Sequence, residues 1–114
     1  MRDLGVVLMD ILDAIDAVRY AGSSRSFEEF SNDRILRLAT ERAIEIISEA
    51  VRHLPDELLD RHPTIEWVKI KAIGNILRHE YHRTAPKIIW DVAQFDLDRL
   101  EMVLRAEQAR WLER

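Results

Sequence analysis

The run LGVVLMDILDAIDAV, Leu4 to Val18, decides the fold class. Apolar side chains recur in it at Leu4, Val7, Leu8, Ile11, Leu12, Ile15 and Val18, the i, i+3, i+4, i+7 spacing of one helical face. Asp10, Asp13, Asp16 and Arg19 fall off that stripe and read as a solvated face. Gly22-Ser23-Ser24 then predicts a helix end near Tyr20, with a glycine past the last turn.

The same period recurs downstream. Phe27 and Phe30 suggest a short helical turn that closes one end of the core, and Ser31 or Asn32 is the expected cap of a long second helix. Its buried stripe reads Ile35, Leu36, Ala39, Ala43, Ile46, Ile47, Ala50, Val51 and Leu54, with Glu49 close to that face. Pro55 starts a short helix presenting Leu58 and Leu59, stopped at His62-Pro63. Thr64 is the expected cap of a third long helix with Ile65, Val68, Ala72, Ile73 and Ile76 on one face. Thr84-Ala85-Pro86 opens the last, which would bury Ile88, Ile89, Val92, Phe95, Leu100, Val103 and Leu104. Trp67 and Trp90 read as core or rim, and Trp111 as a partner contact or an exposed residue. No segment alternates at period two for long enough to be a strand. The expectation is all-α: an antiparallel four-helix bundle with an extra short helix, in one domain over residues 1–114.

Composition narrows the chemistry. The chain has 114 residues, 47% hydrophobic and 33% charged, which fits a globular domain rather than a disordered one. There is no cysteine, so disulfides, thiolate zinc, iron–sulfur clusters and a cysteine nucleophile are excluded together. No run approaches the ~18 apolar residues of a membrane span and no basic leader opens the chain, so a cytoplasmic protein without membrane contact is expected. A net charge of −4 argues against whole-molecule attraction to nucleic acid, yet Lys69, Lys71, Arg78, Arg83 and Lys87 concentrate positive charge locally.

Within that basic stretch stands Gly74-Asn75-Ile76-Leu77-Arg78-His79-Glu80-Tyr81-His82-Arg83. At 100° per residue, Lys71, Gly74, Asn75, Arg78 and His82 share one side of the third helix, and His79 borders its apolar stripe. A glycine inside a helix costs about 0.5–1 kcal/mol relative to alanine, so Gly74 implies close approach of a backbone or a ligand. A guanidinium, two imidazoles, an amide and a phenol in one segment suit a phosphate and a proton transfer. The bland alternatives are a satisfied core histidine at His79 and an Arg78 that sits in solvent or pairs with Glu80 or Asp91. His79 and His82, with His53 and His62 elsewhere, are a weak metal pattern that lacks any H-E-x-x-H spacing, so no metal and no cofactor are expected.

Ser48-Glu49-Ala50, the His62-Pro63-x-x-x-Trp67 join and His79-x-Tyr81 also carry a resemblance, which extends from about residue 4 to residue 104. The chain resembles the HepT-like branch of the HEPN superfamily, small helical toxins encoded beside minimal nucleotidyltransferase antitoxins. The resemblance implies a homodimeric, metal-independent ribonuclease of a type VII toxin–antitoxin system, with a composite site where two subunits meet. It matches His79 to the family's catalytic histidine, Tyr81 to the tyrosine that the antitoxin modifies with AMP and Asn75 to a polar motif residue. Either Arg78 replaces the motif arginine in catalysis or catalysis is weakened or lost, and Lys71, Asn75, His82 and Arg83 of the basic stretch are the candidate RNA-binding residues. The family's motif arginine is replaced: Gly74 stands five places before His79, and Arg78 lies beside the histidine instead. On this reading Gly74 lets the motif helices of two subunits approach. The rival reading is a non-catalytic nucleotide- or nucleotidyltransferase-binding protein with a degenerate motif, which an arginine restored at position 74 would expose.

Overall fold

The computed structural model describes residues 3–80 and 86–114. The described residues form helices and no strand: α1 (Leu4–Gly22), α2 (Phe27–Asn32), α3 (Arg34–Val51), α4 (Asp56–Asp60), α5 (Trp67–Glu80), α6 (Pro86–Asp91) and α7 (Leu97–Leu112), with a π-helical segment, Val92–Asp96, joining the last two. The fold is all-α, as expected. Four long rods make the body, the fourth being α6, the π-helical segment and α7 in series, and α2 and α4 are the short additions.

Side chains start the helices. Asp3 accepts from the backbone N–H of Gly5 (2.8 Å) ahead of α1. Ser26 and Glu29 form a reciprocal capping box at α2. Asp33 caps α3 by accepting from Leu36 N–H (3.0 Å), in place of the expected Ser31 or Asn32. At the end of α1 the left-handed conformation falls on Ser24 (φ 57°), because the helix runs through Gly22 rather than stopping near Tyr20. Thr64 caps nothing: Ile65 is buried ahead of α5, and the Trp67 indole N–H donates to the carbonyls of Leu59 and His62, starting the helix at the tryptophan.

The α1 stripe is buried as read, Val7, Leu8, Ile11 and Ile15 completely. Each such side chain contributes roughly 1.5–3 kcal/mol by leaving water. α1 packs against α3 on one side and α7 on the other, and α3 carries α5 on its far flank. Arg19 bonds to Asp98 and Glu101, and Arg105 to Glu101 and Asp16, a surface ion network between antiparallel α1 and α7 in which Asp16 stays 62% exposed, in keeping with the solvated face read from the sequence. Phe30 is buried against the Trp90 ring (centroids 5.2 Å apart), with Phe27 edge-on to it, closing one end. At the other end Trp111 is partly buried against the core. Its indole lies where a side chain at Gly5 would be, under the Arg114 guanidinium, so it is an intramolecular lid.

Three expected stripes turn out differently. On α3, Ile35 and Ile46 face solvent, with Ala39, while Thr40, Ile44 and Ser48 are buried; Glu49 is exposed. On α5, Val68 (82% exposed), Ala72 and Ile76 point outward, and Trp67, Gly74 and Leu77 point inward. On the last rod Phe95 and Ile88 are exposed and Ala93, Leu97 and Glu107 are buried. The π-helical turn explains the last case. Its i→i+5 bonds add a residue to the turn, which keeps Ile89, Ala93 and Leu97 in line at a spacing of four and leaves Phe95 on the exposed side.

Candidate active site

α5 lies at one edge of the array, with α3 as its principal neighbour, and that edge position exposes most of the motif. The contact between the two helices is built around Gly74. Its N–H donates to Ser48 Oγ (3.1 Å), and the same hydroxyl donates to the carbonyl of Lys71 (3.0 Å). A Cβ at position 74 would lie 2.5 Å from Ser48 Oγ and 2.7 Å from Ser48 Cβ. Gly74 therefore answers a close approach within one chain, to α3, and not the approach of two subunits. An arginine restored there has no room for its first carbon, so that substitution tests packing rather than lost chemistry.

With Gly74 fixed inward, the next residues are distributed by the helical pitch. Lys71, Asn75 and Arg78 flank the α3 contact; Val68, Ala72 and His79 lie farther round, on the outer side. Arg78 is exposed. Its guanidinium donates to Asn75 Oδ1 (3.3 Å) and lies 4.0 Å from a Glu49 oxygen on α3; Asp91 is engaged instead by Lys87 (3.0 Å). His79 is exposed, not a buried core imidazole. Lys71 is half-buried, and its carbonyl also accepts from Arg52 Nη2 (3.0 Å). Tyr81, His82 and Arg83 lie outside the described residues.

Beside Arg78 is a recess of about 340 Å³ lined by Leu38, Glu41, Arg42, Glu45, Leu77 and Arg78. Burial holds the Glu41 carboxyl above its ordinary range, against the pull of Arg37 and with Glu45 adding to the rise. The remaining histidines are scattered. His53 is 3.6 Å from Glu49, and His62 Nε2 is 2.6 Å from the buried carboxylate of Glu107, which also accepts from Arg61 (2.7 Å). Among the described residues no three histidine, aspartate or glutamate side chains are placed to hold a metal ion. An exposed imidazole next to a guanidinium anchored by a neutral amide can exchange a proton and stabilise a developing phosphate charge.

Comparison with known proteins bears on which phosphate chemistry this is. The family described as "HepT-like: Ribonuclease HepT-like" matches residues 11–107. The chain belongs to the HepT-like ribonuclease family. A relative from Thermococcus cleftensis named "Probable ribonuclease HepT" is 30% identical over 94 residues, 82% of this chain and 86% of that one. A Caldanaerobacter subterraneus subsp. tengcongensis protein named "Putative RNase TTE0752" is 38% identical over 76 residues, 67% of this chain and 68% of its own. A Methanocaldococcus jannaschii protein, "Putative RNase MJ1380", is 29% identical over 100 residues, 88% of this chain and 92% of that one. No solved structure matches. Within this HepT-like chain, sequence reasoning passed over Arg52 and weighed His53 only as a metal ligand. Their spacing from Ser48 and Glu49, one helical turn, is the signal that was available.

Proposed function

We propose that this HepT-like protein is a ribonuclease toxin that cuts RNA without a metal, at a site completed by a second copy of the chain. The observation that carries the reading is the outer side of α5. His79 lies in line with Val68 and Ala72 beside Ile76, an exposed apolar stripe on an edge helix, and Arg78 lies one residue away. Pairing two such stripes about a twofold axis buries them and sets two histidines and two arginines along one groove.

In the reaction His79 takes the proton of a ribose 2′-hydroxyl as that oxygen attacks the adjacent phosphorus. The P–O5′ bond breaks and a proton is delivered to the departing 5′-oxygen, leaving a 2′,3′-cyclic phosphate and a 5′-hydroxyl. Arg78 offsets the charge on the equatorial oxygens. Lys71 and Asn75, with His82 and Arg83, hold the RNA backbone. In this reading the toxin belongs to a type VII system in the cytoplasm, and a nucleotidyltransferase antitoxin silences it by adding AMP to Tyr81, two residues from the histidine. The added bulk and negative charge exclude RNA.

Mixing two inactive variants tests the composite site. His79→Ala and Arg78→Ala subunits, refolded together, regain cleavage if the arginine and histidine of one site come from different copies. If the mixture stays as inactive as each parent, the composite site is wrong.

A further inference from the structure

Glu49 of α3 lies among two guanidiniums and an imidazole, drawn from the turn that follows α3 and from α5. Arg52 Nε lies 4.0 Å from its Oε2, His53 Nε2 lies 3.6 Å from its Oε1, and Arg78 Nη1 approaches from α5 to 4.0 Å of Oε2. None of these separations is a hydrogen bond, and all four side chains are between 38% and 49% exposed. Glu49 is thus attracted by two guanidiniums, lies close to an imidazole and is hydrogen-bonded to none of them.

The two guanidiniums, in contrast, are anchored by neutral acceptors. Arg52 donates through Nη2 to the carbonyl of Lys71, and Arg78 through its own Nη2 to Asn75 Oδ1. A guanidinium carries five N–H donors, so each keeps unused donors on the side facing the carboxylate. Two fixed positive charges against one negative charge leave a local excess of positive charge in a chain whose net charge is −4. A lone Glu–Arg pair one turn apart on a helix would be an ordinary surface contact. Here the second arginine comes from α5 and carries the proposed catalytic flank with it.

We infer that Arg52 and His53, just past the C-terminal end of α3, form a subsite for a phosphate of the RNA backbone next to the scissile one, with Arg78 of α5 lying between the two phosphates, and that Glu49 occupies this subsite loosely until RNA displaces it. The inference rests on the ribonuclease reading and adds to it residues outside the α5 motif. A phosphodiester can accept short charge-assisted bonds from both guanidiniums at once, which Glu49, tethered to its own helix, does not reach. The strand would then run from the α3 flank across Asn75 and Arg78 to the scissile phosphate.

The test is binding of a 2′-O-methyl RNA oligonucleotide, which lacks the attacking hydroxyl, followed by fluorescence anisotropy over a salt series. Removing one phosphate contact reduces the slope of log K against log salt by about 0.7 for a single strand, or about fourfold in affinity near 0.15 M salt. Arg52→Gln is expected to show both changes, and Arg52→Lys to retain most of the slope. Glu49→Gln carries the sign test: freeing the subsite tightens binding severalfold, whereas a carboxylate that only supports Arg78 would weaken it when removed. An unchanged slope in Arg52→Gln, or weaker binding in Glu49→Gln, overturns the subsite. If Arg52→Gln fails to fold, Glu49→Gln decides alone. Wild-type protein that binds no RNA overturns the ribonuclease reading itself, a result distinct from either variant's failure.

Discussion

Replacing Gly74 by alanine should destabilise the protein even though alanine is the better helix former. The propensity gain is about 1 kcal/mol. Against it, the new methyl would sit 2.5 Å from Ser48 Oγ and 2.7 Å from Ser48 Cβ. The hydroxyl can rotate away, but then the bonds to Gly74 N–H and the Lys71 carbonyl are lost at Ser48, a residue only 2% exposed. The Cβ cannot move without α3. Overpacking costs about 1–3 kcal/mol, and an orphaned buried hydroxyl about as much again, so after the propensity gain a net loss of about 3 kcal/mol is expected. That corresponds to a fall of roughly 12 °C in a chain of this size. Thermal denaturation followed by circular dichroism measures it. The pair Gly74→Ala with Ser48→Gly removes both atoms the methyl meets, and the double-mutant cycle should show a favourable coupling above about 0.5 kcal/mol. If Gly74→Ala melts at or above the parent temperature, the glycine is not there for the α3 contact, and the explanation of the missing motif arginine falls with it.

Other consequences follow from separate parts of the molecule. The bonds from Arg61 first, and from His62, hold the Glu107 carboxyl below its ordinary range against the opposing effect of burial. A carboxyl whose folded value is depressed contributes stability above its unfolded value and loses it as pH falls through the folded one. Melting temperature should therefore drop as pH is lowered from about 5, and more shallowly in Glu107→Gln, which at neutral pH should cost about 1–3 kcal/mol. Equal acid slopes in the two proteins would refute this. Val68→Asp with Ile76→Asp should convert the proposed dimer to a monomer in analytical ultracentrifugation and, beyond the stabilisation lost with the partner, shift stability by no more than about 0.5 kcal/mol per site; an unchanged mass would remove the α5 interface. Material co-produced with a nucleotidyltransferase antitoxin should gain the mass of AMP in the parent and not in Tyr81→Phe, and the same gain in both would place the modification elsewhere.

The helices were legible in the sequence because apolar period is a local signal, and Leu4 to Val18 carries it without interference. Which side of a helix is covered is not local. α5 is apolar nearly all the way round, with Trp67, Ile70, Ile73 and Leu77 on one side and Val68, Ala72 and Ile76 on another. Period alone chose the second set together with Ile73, and only the position of α3 shows that the first is inside. The π-helical turn at Val92–Asp96 leaves no composition signal, so Phe95 was assigned to the core. The motif of Asn75, Arg78 and His79 could be placed on one helix from spacing. The partners that hold it could not: Ser48 is 26 residues from Gly74, and Glu49 is 29 from Arg78. Glu107 was invisible for the same reason, since its bonds to Arg61 and His62 span 46 and 45 residues.

The central claim is that His79 performs RNA cleavage with Arg78 in place of the family's motif arginine. Its most direct test is cleavage of a defined RNA in EDTA by wild-type protein and by His79→Ala, purified in parallel, with the products' ends identified. The account predicts that the wild type cuts and leaves 2′,3′-cyclic phosphates, and that His79→Ala does not cut while melting at the same temperature. A silent wild type carrying no AMP on Tyr81, or a His79→Ala that cuts equally well, would contradict it.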